Sequence, residues 1–531
     1  MTGTGGGSDN GPNGGEVVVN VDFSGSTAGK RKVKAVRPAP PEAMQKRVFL
    51  SRNDLGAARR LEIFADGDLI FCPEKGWLAW DGFRFDVKHG AAVAARRAHE
   101  LHDDMVKHEA DAVEWFEEGV ILDGEDSAAK VRARIEKNVA SFRNWAKSCG
   151  NGGKIKSILE VASSFASLYA PLETLDPGWD FAVGNGVLRL SRDEGAVFDP
   201  HPKKAHRMTR RAQAGWDPTA TAPTWERFLE KVQPDPGMRA YLQRLTGYTL
   251  ATGNPEQIFV IFQGKGGDGK STFLNAVAAA LGDLVGDAQV QTFLEQDRRG
   301  AEASPDIAAL AGATRLVRVS EPPKGAKLAE GAIKQFTGGE PITARGLFKE
   351  LFSFPFMATC IMSCNTIPEP KGDDRGIWRR LQVVTWPTSI AKSEQDPELP
   401  GRLTAERDGI LRWIVKGFED WLEHGLNAPE DAIEAVASLR RNASPLANWY
   451  DERCEPETGA ETSHKELVED YEHWRGRNSG VEVSSKAMAT FLLNRGHRDR
   501  KTNGVKVRLG IRLRPLDVED MGDPGAEPAP F

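Results

Sequence analysis

The stretch IFVIFQGKGGDGKSTFLNA, Ile258 to Ala276, decides the fold class. Ile258 to Phe262 is wholly apolar and reads as a buried strand. GKGGDGKS, Gly264 to Ser271, then keeps the spacing G-x-x-x-x-G-K-[ST]. Thr272 to Leu281 continues as a helix. In that order the glycines turn backbone N–H groups inward at a helix N-terminus, which makes an anion nest. Lys270 adds a point charge for β- and γ-phosphates, and Ser271 offers a hydroxyl to Mg²⁺. The candidate cofactor-binding residues are therefore Gly264, Gly266, Gly267, Asp268, Gly269, Lys270, Ser271 and Thr272, with ATP and Mg²⁺ as expected cofactors. The loop alone does not say what the phosphate is for.

The remaining sequence narrows the choice. A chain of 531 residues is too long for one core, and about two to four domains are expected. With 40% hydrophobic and 27% charged residues, its composition is that of a globular protein. No long uncharged apolar run is present, so no membrane span is expected, and the N-terminus lacks an apolar signal core. The five cysteines, 72, 149, 360, 364 and 454, form no metal-like spacing, which fits a reducing cytoplasm. A net charge of −6 argues against a uniformly basic coat, but basic residues cluster at 30–37, at 203–211 and near the C-terminus.

Four segments are expected. Residues 1–43 are Gly-rich, then basic, and read as a disordered arm. Residues 44–215 read as an α+β domain, with WLAWDGFRF as a hairpin turning at Asp81-Gly82 and helices near 91–118 and 127–148. Its Trp77, Trp80, Phe83 and Phe85 fit core packing better than base stacking. In the same region ADGD, 65–68, reads as a turn rather than a metal site. Residues 216–425 open on a helix capped by Thr224 and then alternate strand with helix around the phosphate loop. Residues 426–531 read as a small domain with an acidic, Pro-rich tail.

Three more pieces belong with the loop. In TRLVRVSEPP, Glu321 follows the strand of Leu316, Val317 and Val319, where a carboxylate can hold Mg²⁺ and serve catalysis. FMATCIMSCNTIPEP is an almost continuously apolar strand ending at Asn365, whose amide can orient a water and sense the γ-phosphate. Arg379 and Arg380 precede the strand at Leu381, where an arginine suits phosphoryl-charge stabilisation from an adjacent subunit.

Taken together, these motifs resemble the superfamily 3 helicases, in the branch of phage and plasmid primase–helicases and their poxvirus relatives. The resemblance spans about residues 60 to 515 and is carried by FQGKGGDGKST, ATRLVRVSEP, AIKQFTGGEPITAR and CNTIPEPKGDDRGIWRRL. It implies an AAA+-like P-loop ATPase core, a homo-oligomeric ring, usually a hexamer, and ATP-driven 3′→5′ unwinding of DNA in the cytoplasm of a bacterial host. It makes Lys270, Glu321, Asn365 and Arg380 the catalytic set with Arg379 in reserve, and Ser271 and Glu321 the metal ligands. Pro322 stands where relatives often carry a second acid, and Asp268 where many carry Asn. KQFTGGEPITAR leads into a DNA-contacting hairpin, with Arg345 and Lys349 as phosphate contacts. No primase module is expected in this chain, so a separate primase is the expected partner.

The C-terminal segment adds a second DNA surface. A helix capped at Thr462 or Ser463, a second capped at Ser484 or Ser485, and a hairpin turning at Asn503-Gly504 give the order of a winged helix. Arg498, Arg500, Lys501, Lys506 and Arg508 are its candidate phosphate contacts. An ATP-dependent initiator or loader remains the alternative. A P-loop kinase or GTPase fits less well, because no N-K-x-D follows the loop.

Overall fold

In the computed structural model the apolar runs of the middle region form a five-stranded parallel sheet, in the order β13 (Leu381–Trp386), β7 (Phe259–Gly264), β12 (Thr359–Cys364), β9 (Leu316–Val319) and β8 (Val285–Ala288). The structure describes residues 38–119, 127–295, 305–346, 350–370, 375–443, 445–478, 482–502 and 504–515. The basic arm at 30–37, the C-terminal tail and Lys349 lie outside the described residues. The described residues form two compact units, one of those up to 191 with 197–215, the other of 192–196 with those from 216 onward.

The first unit begins with helices α1 (Glu42–Val48) and α2 (Asp54–Ala65), then an antiparallel sheet of β1 (Leu69–Cys72), β2 (Gly76–Trp80) and β3 (Phe85–Asp86). The β2–β3 connection is longer than a two-residue Asp-Gly turn, because Trp80 pairs with Phe85. Asp81 Oδ1 holds it by accepting from the N–H of Phe83 and Arg84, both at 2.9 Å. Trp77 packs edge-on against Phe71, and Trp80 packs at a tilt against Phe85, so these rings are core. ADGD is a turn: Asp66 takes φ 46°, while Asp68 pairs with Arg97 and Lys204.

The expected helix at 91–118 is instead α3 (Gly90–Asp104), a π turn at Met105–Glu109, and α4 (Ala110–Gly119). That turn accompanies an inward Glu109, which accepts from Arg60 Nε at 2.7 Å with both side chains fully buried. Burial raises the Glu109 carboxyl above its usual range, against the pull of Arg60 and Arg47. Helices α5 (Ala128–Cys149) and α6 (Gly152–Ala162) complete the helical core, and strands β4 (Phe181–Val183), β5 (Gly186–Ser191) and β6 (Gly195–Asp199) form a second small sheet.

The second unit opens with α7 (Pro223–Val232) and α8 (Pro236–Tyr248). Thr224 does not cap α7. Pro223 starts that helix, and the distant carboxylate of Glu406 accepts the N–H of Thr224 at 2.9 Å and of Trp225 at 3.0 Å. The sheet follows, with β7 (Phe259–Gly264), α9 (Lys270–Leu281), β8 (Val285–Ala288), α10 (Pro305–Ala309), β9 (Leu316–Val319) and α11 (Glu330–Thr337). Strands β10 (Pro341–Arg345) and β11 (Leu351–Pro355) form a separate antiparallel hairpin before β12 (Thr359–Cys364), α12 (Arg375–Trp378) and β13 (Leu381–Trp386).

Helices α13 (Leu399–Ala405), α14 (Arg407–His424), α15 (Glu430–Ala443) and α16 (Pro445–Arg453) lead to β14 (Cys454–Ser463), α17 (His464–Asn478), α18 (Ser485–Asn494), β15 (Asp499–Thr502) and β16 (Val505–Leu513). Ser463 Oγ accepts from Glu466 N and Ser484 Oγ from Ala487 N, so serines cap both α17 and α18. These last elements carry their own apolar core around Trp449, Leu467, Tyr471, Leu492 and Ile511. Strand β14 was not expected, because the polar CEPETGAETS lacks the apolar alternation of a strand. It forms because its backbone pairs with β16 along one edge of a sheet ordered β14-β16-β15.

Candidate functional site

Parallel register determines which side chains meet. Met362 on β12 lies level with Val319 on β9 and with Ile261 on β7. The loop after β7, Glu321 after β9 and Asn365 after β12 therefore emerge at one sheet edge, beyond the C-terminal ends of three adjacent strands. Asn365 Nδ2 donates to Glu321 Oε1 at 2.6 Å across forty-four residues of sequence. Both side chains, with exposed Ser271, face a cleft of about 710 Å³ that also takes in Gly266, Gly267, Asp268 and Lys270.

The loop's shape follows from its glycines. Gly266, Gly267 and Gly269 have φ of 92°, 63° and 91°, in the left-handed region where a side chain is strained. Gly269 also rests on α7, where a Cβ would lie 2.7 Å from Val232 Cγ1. Helix α9 is anchored from below by Phe273, whose ring meets Trp225 at 5.1 Å and Trp386 at 5.6 Å. Within the loop, Asp268 accepts from Gly266 N at 3.1 Å, from Lys270 N at 3.4 Å and from Lys270 Nζ. The nest thus grips a carboxylate already, and its donors fit the phosphate of a nucleotide. Cys364 lies between Lys270 and Glu321, but burial pushes its thiol up to about 12, which keeps it a neutral wall of the cleft.

Arg380 requires a correction. It is buried, donating from Nε to Thr337 Oγ1 at 2.9 Å and from Nη1 to Gly376 O at 2.6 Å. In this subunit the Arg380 guanidinium is committed to internal partners, and Arg379 is the exposed member of the pair. Arg345 ends β10 opposite Leu351, at the turn end of the β10–β11 hairpin.

In the C-terminal elements Arg498, Arg500, Lys501 and Lys506 are exposed. Arg500 pairs with Glu461 and Lys506 with Asp499, so part of their charge is balanced locally. Arg508 is also corrected: it is 2% exposed and donates to His497 O at 3.2 Å, inside the small core. A hollow of about 340 Å³ lies beside this surface, lined by His464, Lys465, Ser485 and Lys506 among others.

Known sequences match over both halves. Residues 57–234 match the family described as "D5 N terminal like". Residues 262–380 match a family of unknown function, DUF5906. "Putative helicase L207/L206" of Acanthamoeba polyphaga mimivirus is 30% identical over 239 residues, 42% of this chain and 25% of that protein. The chain is thus similar, over part of its length, to viral proteins named putative helicases and primases. "Putative helicase 022R" of Frog virus 3 (isolate Goorha) is 28% identical over 166 residues, 31% of this chain and 17% of its own. "Putative primase C962R" of African swine fever virus (strain Badajoz 1971 Vero-adapted) is 23% identical over 374 residues, covering 65% and 38%. The chain therefore spans well under half the length of these relatives. Among solved structures, the NrS-1 C terminal region gives a TM-score of 0.38 at 11% identity, covering 56% of this chain and 76% of that one.

One residue of the cleft is not marked by any motif in the sequence. Arg318 projects from β9 into the cleft wall, donating to Asp287 Oδ1 at 2.9 Å and to Asn275 Oδ1 at 2.8 Å. The clue was an arginine inside the otherwise apolar LVRV. Among the described residues no helix is long and apolar enough to cross a membrane, and no cluster of His, Cys, Asp and Glu could hold a metal.

Proposed function

We propose that this chain is an ATP-dependent DNA helicase of a phage or other mobile replicon. One observation carries the reading. The phosphate loop, Glu321 and Asn365 meet in one cleft at the ends of adjacent parallel strands. Lys270 and the loop N–H groups would hold the β- and γ-phosphates, and Ser271 and Glu321 would hold Mg²⁺. Bound Mg²⁺ supplies charge neutralisation of the phosphates. Asn365 holds the Glu321 carboxylate at 2.6 Å and so orients the group that would accept a proton from the attacking water.

The strand order supports an AAA+-like core, and the order helix, strand, helix, helix, hairpin after residue 445 supports a C-terminal winged helix. In a hexameric ring, Arg379 would face the phosphates bound by the next subunit. Arg345 and Lys349 would meet single-stranded DNA in the channel, while Arg498, Arg500, Lys501 and Lys506 would meet duplex phosphates. Polarity is proposed as 3′→5′, with primer synthesis left to a separate primase in the bacterial cytoplasm.

The test measures ATPase rate with and without single-stranded DNA, together with displacement of a forked duplex. DNA-stimulated hydrolysis with strand displacement, both lost in Lys270→Ala, is the expected result. Hydrolysis without displacement would reassign the chain as an initiator or loader. ATPase indifferent to DNA would point to a kinase or GTPase.

A further inference from the structure

The loop holds an acid among the groups that must hold phosphate. Asp268 is 4% exposed and Lys270 is 5% exposed. The Asp268 carboxylate takes Lys270 Nζ, the N–H of Gly266 at 3.1 Å and the N–H of Lys270 at 3.4 Å. It also lies against the loop's first glycine, since a Cβ on Gly264 would come within 2.0 Å of Asp268 Oδ2. Two anions cannot share one ammonium and one nest at this range without strong repulsion. The carboxylate must leave before a phosphate enters. The backbone permits that rearrangement, because Asp268 lies between Gly267 and Gly269, both with positive φ.

We propose that Asp268 is a built-in competitor for the nucleotide's β-phosphate, holding Lys270 and the loop N–H groups until the nucleotide displaces it. The proposal rests on the phosphate-loop reading above. Its consequence is a lowered affinity for every nucleotide that carries a β-phosphate, and a site that binds adventitious phosphate poorly.

The experiment titrates fluorescently labelled ADP and AMP, each with Mg²⁺, into the full chain. Wild type is compared with D268N and D268S, and thermal unfolding checks that each variant is folded; a folded result for either suffices. Removing the competing charge is expected to tighten ADP about tenfold, the equivalent of one charge-assisted hydrogen bond. AMP, which has no β-phosphate, is expected to change by less than about twofold. Unchanged or weaker ADP binding in the folded variants, with wild type still binding, overturns the competitor and leaves the phosphate loop standing. An equal gain for AMP also overturns it, because the effect would then not act at the β-phosphate. No nucleotide binding by wild type or variants brings down both the competitor and the phosphate-loop reading.

Discussion

Arg379 and Arg380 are neighbours in sequence and opposites in environment. Both reach Gln257 Oε1, at 3.3 Å from Arg379 and 3.4 Å from Arg380, but Arg380 is buried and also donates to Thr337 and Gly376, while Arg379 is exposed. The two substitutions should therefore separate. Arg380→Ala should cost roughly 2–3 kcal/mol of stability, through lost buried hydrogen bonds. Arg379→Ala should leave the melting temperature nearly unchanged and cut DNA-stimulated ATPase by roughly 10³-fold or more. Thermal melts beside steady-state hydrolysis check both, and a reversed pattern would restore Arg380 as the trans-acting arginine. At the same scale, Glu321→Gln should keep nucleotide affinity while lowering hydrolysis by roughly 10²–10³-fold. A variant that loses both would show the carboxylate to be needed for binding rather than for the chemical step. Glycine spacing and Lys270 were legible in sequence because nest geometry is local. The burial of Arg380 was not, because the groups that cover it come from elsewhere in the chain.

At the scale of elements, the phosphate loop is held by structure on both sides. Gly269 rests on α7, and Phe273 of α9 joins the ring cluster of Trp225 and Trp386. Helix α7 in turn is capped by Glu406, whose carboxylate spans 182 residues of sequence. Glu406→Ala should destabilise the unit by about 1 kcal/mol, the usual worth of a helix cap. Nucleotide affinity should fall with it, because α7 backs the loop. Thr224→Ala should do neither, and a thermal melt that ranks the two the other way would return the cap to Thr224. A threonine before an apolar helical pattern is a reasonable cap in sequence, but Pro223 begins the helix first and a distant acid supplies the acceptor. Strand β14 was missed for a related reason: its polar residues lack the alternation that marks a strand, and only pairing with β16 fixes it.

For the whole molecule, charge matters more by location than by sum. The net charge of −6 hides an exposed basic hairpin whose lysines and arginines are partly balanced by Glu461 and Asp499. If Arg498 and Lys501 meet phosphates, removing both should flatten the dependence of log affinity on log salt by about two. Arg508→Ala should instead lower stability with no change in that slope. Binding isotherms at several salt concentrations test this, and an unaltered slope in the double variant would move the DNA contact elsewhere.

By itself the sequence determined what is local: the strand, glycine loop and helix at Ile258 to Ala276, the starts of the C-terminal helices to within a residue, and the apolar strands that end at Val319 and Cys364. These follow from periodicity, backbone freedom and side-chain hydrogen bonding over a few residues. Only the tertiary structure decided what meets what. It brought Glu321 to Asn365, gave α7 the carboxylate of Glu406, drew Arg318 into the cleft, and buried Arg380 and Arg508. Those outcomes depend on strand order and on packing between distant segments, which local patterns do not encode. Asp268 belongs to both levels: its place among the glycines is written in the sequence, and its hold on Lys270 exists only in the folded loop.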